Sequence, residues 1–169
     1  LGDVYKRQGL LHDMSKYSPT EFWVGAKYYQ GTRSPNNAER EDIGYSSAWL
    51  HHKGRNKHHY EYWIDYSMQA LPGGMAPVPM PDKYIAEMIM DRIAASKVYM
   101  GGEYTDRSPL DYYYQGTDRA PIHPETKAKL LYVLEMLAEE GEEKTFRFIK
   151  EELVQHKRCM DWHQLEKAE

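Results

Sequence analysis

The sequence predicts an all-α fold, and three observations support that prediction. Apolar residues recur at three- and four-residue spacing over several long stretches, as they do along one face of a helix. Serine, proline and glycine stand where these stretches begin and end, which is the usual placement of helix caps. No segment shows the strict apolar-polar alternation that is typical of a half-buried strand. We therefore expect a helical bundle that closes with a C-terminal helical hairpin.

Length and composition limit the protein classes that need to be considered. A chain of 169 residues is natural for one domain, expected over residues 9–160 and followed by a polar tail, 161–169. The net charge of −4 argues against general nucleic-acid binding. A single cysteine, Cys159, excludes an internal disulfide framework, and no apolar run is long enough to span a bilayer. We expect a cytoplasmic protein without a membrane segment.

The first eight residues, LGDVYKRQ, are predicted to be a non-native segment. They contain no initiator methionine and resemble translated adapter sequence. If they are foreign, we expect that a helix which once preceded Gly9 is missing.

The first clear helix signal is the run Ser18-Pro19-Thr20-Glu21. Serine at the N-cap, proline at the first helical position and glutamate three residues after the cap form a capping box. The helix is predicted to end at Gly31. Its apolar stripe is predicted to consist of Phe22, Trp23, Ala26 and Tyr29.

A second helix is predicted from Ala38 through Trp49 into a histidine pair. Helical spacing favours His52 over His51 as the inward residue. After a break at 54–56, residues 57–65 are predicted to be helical, and periodicity leaves the choice between His58 and His59 open.

The second half of the chain is predicted to hold the longest helices. A Pro- and Gly-rich segment, 71–81, is expected to be a connecting loop or a lid. A helix then runs from Pro81-Asp82 to about Met100 and carries Asp91 among apolar residues, where a carboxylate needs a partner, an ion or a boundary position. The hairpin consists of helices 124–140 and 142–160, separated by Gly141.

The stretch from His51 to His59 packs four of the eight histidines into nine residues. Imidazole is the commonest side-chain ligand of transition metals, so histidine pairs on either side of a Gly/Asn turn could converge on an ion. The alternative is a solvated basic loop in which Lys53, Arg55 and Lys57 bind phosphate. Upstream, the doublet His12-Asp13 adds a carboxylate that can share an ion with an imidazole, and Lys16 follows on a neighbouring part of the same face.

Three ordered segments resemble the HD-domain superfamily of metal-dependent phosphohydrolases, and in particular a small uncharacterised bacterial and phage family of this type. They are HDMSKYSPTEF at 12–22, AWLHHKGRNKHHYEYW at 48–63 and PMPDKYIAEMIMDR at 79–92. The resemblance covers roughly residues 9–100 and implies a helical bundle that holds one or two divalent ions. It does not distinguish Mn, Fe, Co, Ni and Zn.

Carried over residue by residue, the resemblance implies six candidate metal ligands and three catalytic cations. The implied ligands are drawn from His12, Asp13, His52, His58, His59 and Asp91, with the choice between His58 and His59 left open. The implied phosphate-facing cations are Lys16, Lys53 and Arg55. One departure stands out: no histidine precedes His12, so the first ligand of the HD pattern is absent.

The expected activity is hydrolysis of a small phosphate ester or nucleotide. Two rivals share the ligand set: a di-iron oxidoreductase of the HD fold, and a non-catalytic helical binding protein in which the metal only staples the bundle. Chelation of the metal would unfold such a binding protein, and this protein would hydrolyse no phosphate ester.

Overall fold

Helices account for most of the residues that the computed structural model describes, which are 13–67, 74–116 and 119–156. The prediction of a mostly helical protein is confirmed. The chain divides into two units, Leu1–Tyr62 and Trp63–Glu169. This division does not test the single domain predicted over residues 9–160, which stays a prediction.

The first unit is built from short helices. Its described part contains a 3-10 helix and three α-helices: Met14–Tyr17, α1 (Pro19–Lys27), α2 (Pro35–Ile43) and α3 (Ser47–Lys53). Helix α1 begins as predicted, with Ser18 as N-cap: its Oγ accepts a hydrogen bond from the backbone N–H of Glu21 at 3.4 Å. Helix α1 packs against α2 and α3.

The apolar stripe predicted for α1 is wrong. Phe22 and Trp23 are 51% and 68% exposed, and Tyr29 lies beyond the helix and is also exposed. The buried residue of this helix is Glu21. The polar partners of the Glu21 carboxylate, rather than the aromatic side chains, determine which face of α1 is buried.

The single helix predicted from Ala38 into the histidine pair is also wrong, because it is two helices. Gly44 adopts φ 84° and ends α2, a backbone conformation that glycine reaches without steric cost. Ser46 then caps α3 by accepting a hydrogen bond from the N–H of Trp49 at 3.0 Å. Because of this break, α2 and α3 are separate helices with their own ends and caps.

A buried carboxylate stabilises the start of α3. Glu39, 2% exposed, accepts hydrogen bonds from the hydroxyls of Ser46 and Ser47 at 2.6 and 2.5 Å. Burial raises the pKa of Glu39, but these bonds and those from the backbone N–H groups of Ser47 and Ala48 outweigh it and hold the pKa below its usual value. The carboxylate therefore stays charged where the helix dipole is positive.

The helix predicted over 57–65 is replaced by three local structures. Residues 57–59 form a turn, Tyr60–Trp63 is a 3-10 helix, and Ile64–Tyr66 is strand β1. Strand β1 pairs antiparallel with β2, Met75–Pro77, with Asp65 opposite Ala76. Hydrogen bonding between the strands overrides the local helical pattern, and β2 lies in the segment predicted to be a loop; residues 71–73 of that segment lie outside the described residues.

The second unit is built from longer helices, as predicted. Its described helices are α4 (Asp82–Met100), a 3-10 turn (Gly101–Glu103), α5 (Ser108–Tyr114), α6 (Pro124–Glu140), and α7 (Glu142–Phe148), which continues as a π-helix (Ile149–Val154). Gly141, at φ 81°, separates α6 from α7 and gives the predicted hairpin. The end expected near Met160 lies outside the described residues.

An apolar core joins these helices. The fully buried side chains include Ile85 and Ile89 of α4, Leu130, Val133, Leu134 and Leu137 of α6, and Leu153 of the π-helix. None of the described helices combines the length and the hydropathy that crossing a bilayer requires.

Candidate metal centre

Three histidines of the first unit lie close enough together to bind one ion. His52 stands near the end of α3, and His58 and His59 lie in the following turn. One ring nitrogen from each lies within 4.8 Å of the other two. His52 and His58 are buried, at 5% and 2% exposure, and His59 is half-buried. The group therefore could hold a metal ion, and both members of the second pair belong to it.

The Asp13 carboxylate lies beside two members of this group. Its Oδ1 atom lies 3.4 Å from Nε2 of His52 and 3.5 Å from Nε2 of His58. These distances exceed the usual hydrogen-bond range of about 2.7–3.2 Å. They match the edge of about 3.3–3.4 Å that separates two ligands bound at about 2.0–2.1 Å to one tetrahedral ion.

The turn between the two histidine pairs is held by His52 itself. The backbone N–H groups of Arg55 and Asn56 donate to the carbonyl oxygen of His52 at 3.0 and 3.1 Å, and Asn56 Nδ2 donates to the same oxygen at 2.8 Å. The ring of Trp49 stacks on His52 and meets His59 edge-on at a centroid distance of 4.6 Å. The turn that Gly54 to Asn56 predicts thus brings His52 together with His58 and His59.

Glu21 anchors the other side of the histidines. Its Oε1 accepts a hydrogen bond from Nδ1 of His51 at 2.6 Å, and its Oε2 accepts one from Nδ1 of His52 at 2.8 Å. The capping box predicted its side chain at the backbone N–H of Ser18, so that interpretation of Glu21 is wrong. The sequence carried no separate signal for this role, since Ser-x-x-Glu fits a capping box equally well.

The hydrogen bonds around His52 define which ring nitrogen carries the proton. A carboxylate only accepts, so Nδ1 of His52 must donate to Glu21. Asn56 Nδ2 uses its two hydrogens on Ser15 Oγ, at 2.8 Å, and on the carbonyl of His52, so its approach to Nδ1 is a close contact. In the neutral ring, Nε2 then carries a lone pair that faces Asp13. Lys16 already pairs with the other oxygen of this carboxylate, and a metal ion between Nε2 and Oδ1 would add a second positive charge there.

Glu21 is charged at neutral pH. Its burial raises its pKa, but hydrogen bonds from His51, Ser15 and His52 outweigh that effect and hold the pKa below its usual value. A charged carboxylate behind a ligating imidazole orients the ring and increases its basicity. The three imidazoles, with Asp13 close to two of them, therefore offer donors that suit a divalent transition-metal ion.

The three predicted cations differ in their exposure and in their contacts. Lys16 is mostly exposed and forms an ion pair with Asp13. Arg55 is exposed and donates from Nη1 to the carbonyl of His51 at 3.2 Å, and Lys53 is half-buried at the end of α3. Their binding of phosphate stays a prediction.

Two predicted ligands are not tested by this geometry. His12 lies outside the described residues. Asp91 is half-buried on α4 in the second unit, and its role as a ligand stays a prediction.

The comparisons with known proteins place the chain in a family. No curated protein and no solved structure matches it. The resemblance to HD-domain proteins thus stays a prediction. One family model matches residues 1–136, which is most of the chain. The chain therefore belongs to DUF5662, a family of unknown function.

Proposed function

We propose that the protein is a metal-dependent phosphohydrolase that acts on a small phosphate ester or nucleotide. The observation that supports it is the position of Asp13 Oδ1, at 3.4 and 3.5 Å from the Nε2 atoms of His52 and His58. The HD-like order of the three sequence segments points to the same class of enzyme.

In this proposal Asp13, His52, His58 and His59 hold the ion. A bound divalent ion supplies polarisation of a phosphoryl oxygen and lowers the pKa of water. The resemblance adds a second divalent ion to this proposal. The assay described below decides which of Mn, Fe, Co, Ni and Zn supports activity.

The remaining residues bind and orient the substrate. Lys16, which already contacts Asp13, and the neighbouring Lys53 and Arg55 neutralise the non-bridging phosphate oxygens. Arg55 is suited to this because its guanidinium presents a planar set of donors to phosphate. Glu21 fixes the orientation of His52 from the side away from Asp13.

The test is an assay of protein loaded separately with manganese, cobalt, nickel, zinc or iron(II), against phosphomonoesters, phosphodiesters and a nucleotide panel. We expect metal-dependent release of phosphate or of a nucleoside product. The variants Asp13→Asn and His58→Ala should lose at least about 100-fold in kcat/KM, since each removes a ligand.

Matched controls use residues of the same type away from the site. Asp42→Asn alters an exposed carboxylate that contacts Tyr28, and His156→Ala alters an exposed histidine of the second unit. Both should retain the activity of the wild type. Equal turnover in Asp13→Asn, His58→Ala and the controls contradicts the proposal.

The nitrogen-rich donor set favours an oxidoreductase as a second candidate. Three imidazoles and one carboxylate suit iron as well as they suit a hydrolytic metal. Iron in protein as purified, with visible absorption and oxygen consumption, supports this candidate. Phosphate release by the zinc-loaded protein excludes it as the sole activity, because zinc is not redox-active.

A third candidate is a metal that only staples the first unit. Four protein donors fill a tetrahedral ion completely, as in structural zinc sites. Such a protein loses its fold on chelation and turns over no phosphate ester under any metal.

A further inference from the structure

One carboxylate serves two adjacent histidines in the first unit. Glu21 is buried, and each of its oxygens accepts from a different ring: Oε1 from His51 at 2.6 Å and Oε2 from His52 at 2.8 Å. Both bonds go to Nδ1, although His51 and His52 are neighbours on α3 and point in different directions around the helix. The carboxylate lies across the two rings and contacts the same atom of each.

We infer that Glu21 is a positioning residue that holds both His51 and His52 in the Nδ1–H tautomer, so that His52 presents the lone pair of Nε2 to the metal. This inference rests on the proposed metal centre. His51 is held in the same way.

The geometry around His52 requires such a residue. An isolated neutral imidazole exchanges between two tautomers, and only the Nδ1–H form can ligate through Nε2. Ser15 Oγ lies 3.1 Å from Nδ1 of His52, and a hydroxyl can either donate to that atom or accept from it. The charged oxygen of Glu21 can only accept, so it places the proton on Nδ1.

Glu21→Gln is a sharp test, because glutamine keeps the shape of the side chain but has only one oxygen that accepts hydrogen bonds. A carboxylate has two accepting oxygens, whereas an amide has one oxygen and one NH₂ donor. In Glu21→Gln the oxygen can accept from one histidine, and the NH₂ group faces Nδ1 of the other. One of the two histidines must then change to the Nε2–H tautomer.

The measurement is ¹⁵N NMR of the imidazole nitrogens in metal-free protein at a pH of about 8, above the range in which histidine is protonated. In the wild type we expect both His51 and His52 as Nδ1–H. In Glu21→Gln we expect one of them as Nε2–H, and in Glu21→Ala neither should remain fixed as Nδ1–H. Zinc affinity of Glu21→Ala should fall about 10- to 100-fold, as for other residues that orient a ligating histidine.

Glu39→Gln is the matched control. Glu39 is an equally buried glutamate of the same unit, and its hydrogen bonds go to Ser46 and Ser47. This variant should leave the tautomers of both histidines and the zinc affinity unchanged. A change in the tautomers of this control as large as that in Glu21→Gln would show a general loss of structure and overturn the assignment.

The outcomes separate this inference from the proposed function. If the wild type shows His52 as Nε2–H, or if Glu21→Gln leaves both histidines as Nδ1–H, Glu21 does not set the tautomers, whatever the activity. If the tautomers change as expected while no metal-loaded form hydrolyses a phosphate ester, the positioning role stands and the hydrolase proposal fails. Should Glu21→Ala fail to fold, the isosteric Glu21→Gln still decides.

Discussion

The two units of this chain bury different kinds of side chain. Among the described residues of the first unit, the buried apolar side chains are only Ala38 and Ala48. Its buried polar side chains are Glu21, Glu39, Ser46, His52, Asn56 and His58. The described part of the second unit buries a large apolar set from α4, α5, α6 and the π-helix, with five polar side chains among it: Ser108, Thr126, Lys129, Thr145 and Glu152. One unit is organised by hydrogen bonds and charge, and the other by an apolar core.

This difference indicates which interactions stabilise each unit. Burial of apolar surface stabilises the second unit in proportion to its area and needs no ligand. Buried polar groups stabilise a fold only when each has a partner, so the first unit depends on its carboxylate-histidine network and, in our proposal, on an ion. Four substitutions or additions test this contrast, taken from the largest expected effect to the smallest.

The largest effect is expected in the apolar core of the second unit. Leu134 on α6 has 0% exposure, and Leu134→Ala should lower the free energy of unfolding by about 2–5 kcal/mol because it leaves a cavity. Urea unfolding measures this change. A loss under about 1 kcal/mol would show that α6 does not depend on close packing at Leu134.

The second effect is stabilisation of the first unit by metal. Zinc at about 100 times its Kd should raise the free energy of unfolding by about 2.7 kcal/mol, since it binds the folded state. His58→Ala should abolish this gain, whereas His156→Ala should keep it. Thermal unfolding with and without zinc, followed by a chelator, measures the difference. An equal gain in His58→Ala contradicts the ligand set.

The third effect concerns the carboxylate at the start of α3. Glu39→Gln should cost about 1 kcal/mol at neutral pH, because an amide accepts fewer and weaker hydrogen bonds from the start of α3 than a carboxylate does. The pKa of Glu39 is lowered in the folded protein, so its charge stabilises the fold above the unfolded pKa of about 4.3, and this contribution is lost as the pH falls through the folded pKa.

The difference in stability between wild type and Glu39→Gln should thus be constant above a pH of about 5.5 and shrink below it. Urea unfolding at a series of pH values measures it. A difference that grows in acid would mean that the folded state raises the pKa of Glu39.

The smallest effect is expected on the outer face of α1. Trp23 is 68% exposed, and Trp23→Ser should change the free energy of unfolding by no more than about 0.5 kcal/mol. A loss of 2 kcal/mol or more in urea unfolding would restore the apolar stripe that the sequence predicted.

Regular helices with strong end signals could be predicted from the sequence. The bounds of α6, Pro124–Glu140, and the break at Gly141 follow from a proline at the first helical position and a glycine after the last. The start of α4 at Asp82 comes directly after Pro81, which is its N-cap. The second unit was therefore the easier one to predict, because apolar periodicity and caps agree along it.

The first unit was harder to predict because its buried residues are polar. No apolar periodicity marks Glu21 and Glu39 as inward, and their partners lie 6 to 31 residues away along the chain. Gly44 interrupts a pattern that reads as one helix. The choice of His52 over His51 followed from helical spacing, but the inclusion of both His58 and His59 depends on a turn whose shape Asn56 sets.

The central claim is that Asp13, His52, His58 and His59 bind one metal ion, and anomalous diffraction tests it most directly. Crystals of the protein loaded with zinc should be measured on both sides of the zinc absorption edge. We expect one strong anomalous peak about 2.0–2.2 Å from the Nε2 atoms of His52 and His58 and from Asp13 Oδ1, with a nitrogen of His59 as a further ligand. A fully occupied zinc ion elsewhere, or no peak among these residues at saturating zinc, would contradict the account.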